Sequence, residues 1–331
     1  MNRVRPLSLL SAGILSAFAL VTFANSSSGE TVSKPEGNSS EASPRPDKVW
    51  FVTGSNKGLG LAISTAALQS GYRVVATSRE PEQVKAKLSG FGDRVLALRL
   101  DVTKQAEIDV AVAEAQAKFG RIDVLVNNAG YGQLGWFENT SDEQIRQQFE
   151  VNIFGAMNVT RAVLPIMRHQ RSGQIFTISS VAGMIAVAGS AVYSSSKFAV
   201  EGWMEGLADE VKPLGITATI IMPGFFPTDF LDPSSVRYPE GNIADYADRA
   251  AAFKAWHDKM NHNQIGDPPK LGALLVKIAE MPSPPLRVAA GSDAQENVVK
   301  KAERIRSEAE RLKPLSISTD GVPSKDAPSF D

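Results

Sequence analysis

Cysteine is absent from all 331 residues of the chain, which excludes disulfide bridges, thiolate nucleophiles and cysteine-held metals. Histidine is nearly as scarce. Only His169, His257 and His262 occur, at spacings that suit no metal-ligand set, so we expect no metal and read all three as surface side chains. An excess of charge is missing as well: 35 lysines and arginines face 36 aspartates and glutamates, for a net charge near −1. With no basic face interleaved with aromatics, nothing marks a nucleic-acid surface. What is present is a 43% hydrophobic chain long enough for one large α/β core.

Short apolar runs alternate with amphipathic stretches along most of its length. The pattern predicts strands over Lys48–Thr53, Arg73–Ser78, Val95–Leu100, Ile122–Asn127, Gln174–Ser179, Thr217–Met222 and Leu286–Ala290. Such alternation predicts a parallel, doubly wound sheet with helices on both faces, a three-layer αβα domain. In that architecture the ligand crevice lies at the carboxyl ends of the strands, so those ends are read first.

After the first strand comes Gly54, Ser55, Asn56, Lys57, Gly58, Leu59 and Gly60, then the amphipathic Leu61–Gln69. Glycines in such a turn tolerate positive φ and let backbone N–H groups approach a phosphate at a helix N-terminus. The spacing G-x-x-x-G-x-G differs from the commoner G-x-G-x-x-G of dinucleotide sites. The second strand ends in Ser78 and Arg79, where an NAD site needs a carboxylate for the ribose 2′-hydroxyl. A guanidinium in its place, with Lys57 as a second cation, suits a 2′-phosphate and predicts NADP(H) over NAD(H). Asp101 and Val102 close the third strand; the carboxylate can accept from an adenine amino group or cap the helix that follows. Asn127, Asn128, Ala129 and Gly130 end the fourth, where small residues let the chain turn beneath a cofactor.

Tyr193 and Lys197 stand four apart, and Ser180 precedes the tyrosine by 193 minus 180, or 13, positions. Residues i and i+4 share a helix face, so the lysine charge is expected beside the phenol. At about 4 Å and an effective dielectric of ~20 a unit charge contributes on the order of 4 kcal/mol, about three pKa units off a phenol that ordinarily titrates near ~10. The triplet therefore reads as a proton-transfer device.

Taken together, these residues resemble the short-chain dehydrogenase/reductase family. Thr53-Gly-x-x-x-Gly-x-Gly60, Asp101, Asn127 to Gly130, Asn152, Ser180, Tyr193-x-x-x-Lys197 and Pro223-Gly224 occur in its order and spacing, over about Asp47 to Leu312. Within the family the chain looks most like NADP-dependent bacterial members related to hydroxysteroid and retinol dehydrogenases, judging by Val74 to Arg79, Gly130-Tyr-Gly132 and Gly266-Asp-Pro268. The resemblance implies a Rossmann-type sheet in the order 3-2-1-4-5-6-7, Tyr193 as general acid/base and Ser180 on the substrate oxygen. It also implies Lys197 on the nicotinamide ribose, Asn152 holding a water that links Lys197 to solvent, and Pro223, Gly224 and Thr228 around the cofactor amide. Many relatives carry arginine where this chain has Pro227, which supplies no donor. A homodimer or homotetramer built on the helices containing Asn152 and Tyr193 is implied too. The complete set Asn152, Ser180, Tyr193 and Lys197 argues for turnover over a cofactor sensor; an epimerase on the same scaffold is the other alternative.

Substrate chemistry is read from Phe225–Asp267, which has no sheet pattern and carries Phe225, Phe226, Phe230, Tyr238, Tyr246, Phe253 and Trp256. It is expected to be a lid with an apolar underside. With Leu134, Trp136, Met184, Ile185 and Val187 it points to a hydrophobic ketone, aldehyde or alcohol as the small-molecule partner. Before the folded domain, expected over 47–313, residues 1–24 read as a signal peptide or membrane anchor and 25–46 as a linker. That predicts an exported or membrane-associated protein; the alternative is a start site placed too far upstream and a cytoplasmic enzyme. At the other end, Asp293–Leu312 reads as an exposed amphipathic helix and 314–331 as a disordered tail.

Overall fold

A computed structural model of the chain describes residues 48–321. The strands among the described residues are β1 (Val49–Thr53), β2 (Arg73–Ser78), β3 (Val95–Arg99), β4 (Val124–Asn127), β5 (Gly132–Gln133), β6 (Gly173–Ile178), β7 (Ile216–Pro223), β8 (Val236–Arg237) and β9 (Arg287–Ala290). The helices are α1 (Gly58–Gln69), α2 (Pro81–Lys87), α3 (Gln105–Phe119), α4 (Asp142–Phe149), α5 (Ala156–Gln170), α6 (Ala191–Val211), α7 (Ala247–Met260), α8 (Pro268–Ala279) and α9 (Ser292–Ser316). Seven strands form one parallel sheet in the order β3-β2-β1-β4-β6-β7-β9, a Rossmann-type α/β fold whose strand ends fall within two residues of the sequence expectation.

The strands are apolar on both faces because each face carries its own core. Along β1, Val49 and Phe51 enter a cluster shared with α3, α5 and α6, while Trp50 and Val52 enter one shared with α1, α2 and α8. That is the two-residue alternation of a pleated strand with no polar side to give away. Trp50 packs its ring 6.1 Å from Phe176 and 6.0 Å from Tyr72, so three aromatics fix the second core beneath neighbouring strands. Each such side chain contributes roughly 1.5–3 kcal/mol by leaving water.

Chain order reverses at β1. From β1 the chain builds outward through β2 to β3, then crosses to β4 on the other side of β1 and continues outward to β9. The carboxyl ends of β1 and β4 therefore face the crevice where such sheets hold ligands.

Several expectations are corrected. The 225–267 segment is not free of sheet: β8 lies within it and pairs in parallel with β5, Gly132 against Val236 and Gln133 against Arg237. Two-residue pairing leaves too short an alternation to be seen in sequence. His257 is buried, 7% exposed, against Phe253 and Trp256, so it is no surface residue; its ring closes an aromatic stack that only the folded α7 assembles. Helix α9 runs to Ser316, past the expected boundary at 313, with Pro314 inside its last turn at the loss of one backbone hydrogen bond. Membrane association is corrected too. Among the described residues no helix is long and apolar enough to cross a membrane, and the segments 1–24 and 25–46 that carried the expectation of export lie outside the described residues, as does the tail beyond 321.

Candidate active site

The glycine turn begins where β1 ends. Gly54 and Gly58 have φ of 69° and 54°, a conformation L side chains rarely adopt. A Cβ on Gly60 would lie 2.2 Å from the Gly54 carbonyl oxygen and 2.4 Å from Asn128 Nδ2, so only glycine lets α1 start this close to the strand ends. No side chain caps α1 and its first turn holds no acid. Its N–H groups and the positive end of its dipole thus face the crevice.

Asn128 ties the turn to β4. Its Nδ2 donates to the carbonyls of Thr53 at 2.9 Å and Gly54 at 3.1 Å, while the Thr53 hydroxyl accepts from the amides of Asn128 and Ala129, each at 3.0 Å. Thr53 was quoted in the motif but not read as part of the site, and its hydroxyl is what fixes the two strand ends together. Ser55 is also inward: it is fully buried, its amide donates to Thr77 O at 2.8 Å and its hydroxyl to Val52 O at 2.9 Å. Its side chain shapes the turn from within.

Around the crevice the remaining residues divide. Arg79 is exposed at the end of β2, and the Ser78 hydroxyl accepts from Glu80 N at 3.0 Å. Lys57 does not join Arg79; its Nζ donates to Ser234 Oγ at 2.6 Å, across the crevice in the lid segment. Asp101 accepts from Thr103 N at 3.0 Å and from Thr103 Oγ1 at 2.8 Å, closing the turn before α3, whose N-cap is Lys104 and which no side chain caps. Burial pushes its carboxyl up, yet the Thr103 bonds and the charges of Arg79 and Lys104 outweigh it and hold it below the usual range. Val102 is buried beneath Gly155, where an added Cβ would meet it at 2.6 Å. Asn56 Nδ2 reaches Gln83 at 3.4 Å, and Leu59 packs on the second core. Thr228 lies against Gly58, and Gly224 against the Asp293 carboxylate.

Tyr193 and Lys197 occupy the first two turns of α6, 8% and 7% exposed. Ser180 sits at the end of β6, its hydroxyl accepting from Ala182 N at 3.1 Å and sharing a hydrogen bond with the Tyr193 phenol. Lys197 Nζ donates to Ile178 O at 2.8 Å and lies 5.8 Å from the centre of the Tyr193 ring. Asn152 lies in a π-helical turn, Glu150–Gly155, between α4 and α5. Turns of this kind recur at functional sites. Its amide donates to Tyr131 O at 3.1 Å and to Ser196 Oγ at 3.2 Å, and its Oδ1 accepts from Tyr131 N at 3.1 Å; Gly130 is the neighbour whose Cβ would meet that oxygen at 3.1 Å.

The expected neutral-pH phenolate is corrected. Burial pushes the Tyr193 phenol up to about 12, and its bond with Ser180 offsets only part of this. Burial likewise lowers the Lys197 ammonium to about 8, opposed by the Glu201 carboxylate. Desolvation of both groups exceeds their mutual attraction, and the ammonium is drawn to a carbonyl instead of the phenol. Glu201 was missed, although the i+4 rule that found Lys197 also finds it: it is 5% exposed and pairs with Arg287 of β9 at 3.0 Å. Burial raises its carboxyl, against bonds from Ser179 and Arg287.

Above the phenol lies a small apolar cluster of Leu134, Tyr193, Leu231 and Val236, with Phe230, Tyr238 and Phe253 packed on it. Phe230 places its ring 5.4 Å from that of Tyr193, and Phe253 meets Trp136 edge-on at 5.6 Å. Val187 and Phe225 are instead 62% and 41% exposed, outside the cluster.

Comparison with known proteins agrees with this geometry. Residues 48–238 match the family model of the short chain dehydrogenases. The chain belongs to the short-chain dehydrogenase/reductase family. An oxidoreductase of Botryotinia fuckeliana is 40% identical over 82% of this chain and 99% of its own. A 3-ketodihydrosphingosine reductase of Bacteroides thetaiotaomicron is 36% identical over 74% and 88%. Among solved structures, a short-chain dehydrogenase from Streptomyces avermitilis superposes with a TM-score of 0.77 at 39% identity, covering 83% of this chain and 99% of its own. A member from Burkholderia phymatum in complex with NAD gives 0.70 at 25% identity, over 84% and 98%. The protein is therefore an oxidoreductase of a family that binds a nicotinamide cofactor and acts on small substrates, and the uncapped α1 above a turn that only glycine can form fits the phosphates of such a cofactor.

Proposed function

We propose that this dehydrogenase interconverts a hydrophobic ketone or aldehyde and its alcohol with NADP(H), using Tyr193 as general acid/base. The observation that carries the reading is the buried phenol of Tyr193, hydrogen-bonded to Ser180 and one helical turn from the Lys197 ammonium, under an apolar lid. The bound cofactor supplies hydride to the carbonyl carbon. As the C–H bond forms, the carbonyl oxygen gains charge, and the Ser180 hydroxyl stabilises it by donating a hydrogen bond. Tyr193 then passes its proton to that oxygen. With the phenol raised to about 12 and the ammonium lowered to about 8, the pair at neutral pH is a protonated acid beside a cation. That state favours reduction. Lys197 stabilises the phenolate left behind, and Asn152 holds the water through which its proton is replaced from solvent.

The preference for NADP(H) rests on Arg79, exposed where a carboxylate is missing. Lys57 supports it less directly, since its amine must leave Ser234 to reach a phosphate. Gly54, Gly58, Gly60, Asn128 to Gly130, Pro223, Gly224 and Thr228 form the rest of the cradle. A ketone substrate is also consistent with the name of the 36% identical Bacteroides reductase. Phe154 and Phe198, 47% and 44% exposed next to Asn152 and Lys197, suit a homodimer or homotetramer through those helices.

Loss of NADPH absorbance across a panel of ketones, quinones, retinals and steroids tests the assignment. Tyr193→Phe is expected to cut turnover by about 10³-fold or more while the NADPH Kd stays within about threefold. Undiminished turnover by that variant would remove the phenol from the mechanism, and product formation without stoichiometric NADPH loss would make the protein an epimerase.

A further inference from the structure

Among the described residues, every position of α9 from Ala302 to Ser316 is exposed, Ile305 by 48% and Leu312 by 39%. Only its first turns are anchored, through fully buried Ala294 and through Val298 packed on the main core. A lone helix of ~15 residues is marginal in water. Ion pairs along it, Lys300 with Glu296, Arg304 with Glu308 and Arg306 with Glu310, contribute only about 0.3–0.5 kcal/mol each.

The exposed face is not random. Val298, Ile305 and Leu312 recur every seven residues, and Ala302 and Ala309 recur every seven between them, an alternation of steps of four and three that forms a heptad seam. We propose that this seam pairs antiparallel with the same helix of a second copy of the chain. Large side chains then face small ones. With the two-fold axis between residues 303 and 304, Ile305 packs on the partner's Ala302 and, by symmetry, Ala302 receives the partner's Ile305, so that each alanine makes room for the branched side chain opposite. The flanking charges agree with this register. Lys301 meets the partner's Glu308, and by symmetry Glu308 meets the partner's Lys301, giving two opposite-charge pairs, while Val299 is the residue nearest the partner's Arg306. A parallel pair in register would instead stack alanine on alanine and set Lys301 against the partner's Arg306. The second copy is thus favoured over a lipid surface or another segment of this chain by size and charge matching that neither would need. The face is distinct from the helices around Asn152 and Tyr193, so the proposal stands whatever the enzyme's substrate and cofactor.

Because the chain has no cysteine, introduced cysteines report without background. Lys301→Cys with Glu308→Cys places two thiols two helical turns, about 10 Å, apart on one helix, too far for a bridge within a chain. Oxidation of the full-length double variant is expected to give a covalent dimer on non-reducing gels, and neither single variant should. Lys301→Glu is expected to lower the self-association constant by about tenfold, so that near the dissociation midpoint the weight-average mass in sedimentation velocity moves toward half. Adding Glu308→Lys should restore it, with turnover per active site unchanged throughout. Absence of the cross-link, a cross-link in the Lys301→Cys single variant, or a mass indifferent to both charge changes would overturn the antiparallel pairing, as would binding of α9 to lipid vesicles with no dimer formed.

Discussion

The floor of the site and its lid are built on different terms. On the floor, Thr53, Asn128, Tyr193 and Lys197 stand on strand ends and the first turns of α6, largely out of water; Thr53, Asn128 and Lys197 are tied by hydrogen bonds to backbone, and the Tyr193 phenol to the Ser180 side chain. The lid from Phe225 to Asp267 rests on ring contacts and a two-residue strand pair, and Phe225 and Trp256 keep 41% and 46% of their surface in solvent. Under the proposed function, the rigid floor would fix where hydride and proton move, and the loosely packed segment above it would adapt to an apolar substrate. Local opening free energies follow the same division, since regions with few buried contacts open first.

Three perturbations sharpen that contrast, beyond the loss of turnover expected of Tyr193→Phe. The largest tests the dryness of the floor. With Lys197 lowered from 10.5 to about 8 by burial, the unfolded chain binds more protons than the folded one between those values. Stability attributable to this group therefore rises with pH across that window, by roughly 3 kcal/mol in total, and falls away as pH drops through about 8. Urea melts of the wild type minus those of Lys197→Met, from pH 7 to 10.5, should show the rise; a flat difference would mean that the ammonium is hydrated. Next comes the rim of the cofactor site. Arg79→Gln should weaken NADPH binding by about tenfold or more and leave NADH within about twofold, read by fluorescence titration, and equal losses for both would assign Arg79 no part in the 2′-phosphate. The smallest effect belongs to the lid: Phe253→Ala should raise KM for an apolar ketone about fivefold, the equivalent of about 1 kcal/mol, with the NADPH Kd unmoved. A fall in cofactor affinity of the same size would show that lid and floor are one unit.

The same division governs what could be read from sequence. Glycines that need positive φ, a tyrosine and lysine one turn apart, and strands apolar on both faces each obey a local rule, so the fold and the grouping of Tyr193 with Lys197 and Ser180 were legible. Position alone was not enough for their chemistry. Burial of Tyr193 and Lys197 against each other, and the carbonyl of Ile178 that receives the ammonium, arise from contacts between β6 and α6, and these reversed the expected direction of the phenol's shift. The β5–β8 pair and the Glu201–Arg287 bridge join residues 104 and 86 positions apart, and buried His257 depends on neighbours that only folding supplies. Lys57 shows the limit most plainly: its charge was read for a phosphate, and its amine lies on Ser234, 177 residues away.

One determination bears on the central claim more directly than any rate: the crystal structure of the full chain with NADP+ and a ketone-site inhibitor. The account requires the Tyr193 hydroxyl within hydrogen-bond distance of the inhibitor oxygen, beside the nicotinamide, with Lys197 turned from Ile178 toward the cofactor ribose. A phenol directed away from the nicotinamide, with the ammonium still held by the Ile178 carbonyl, would contradict it.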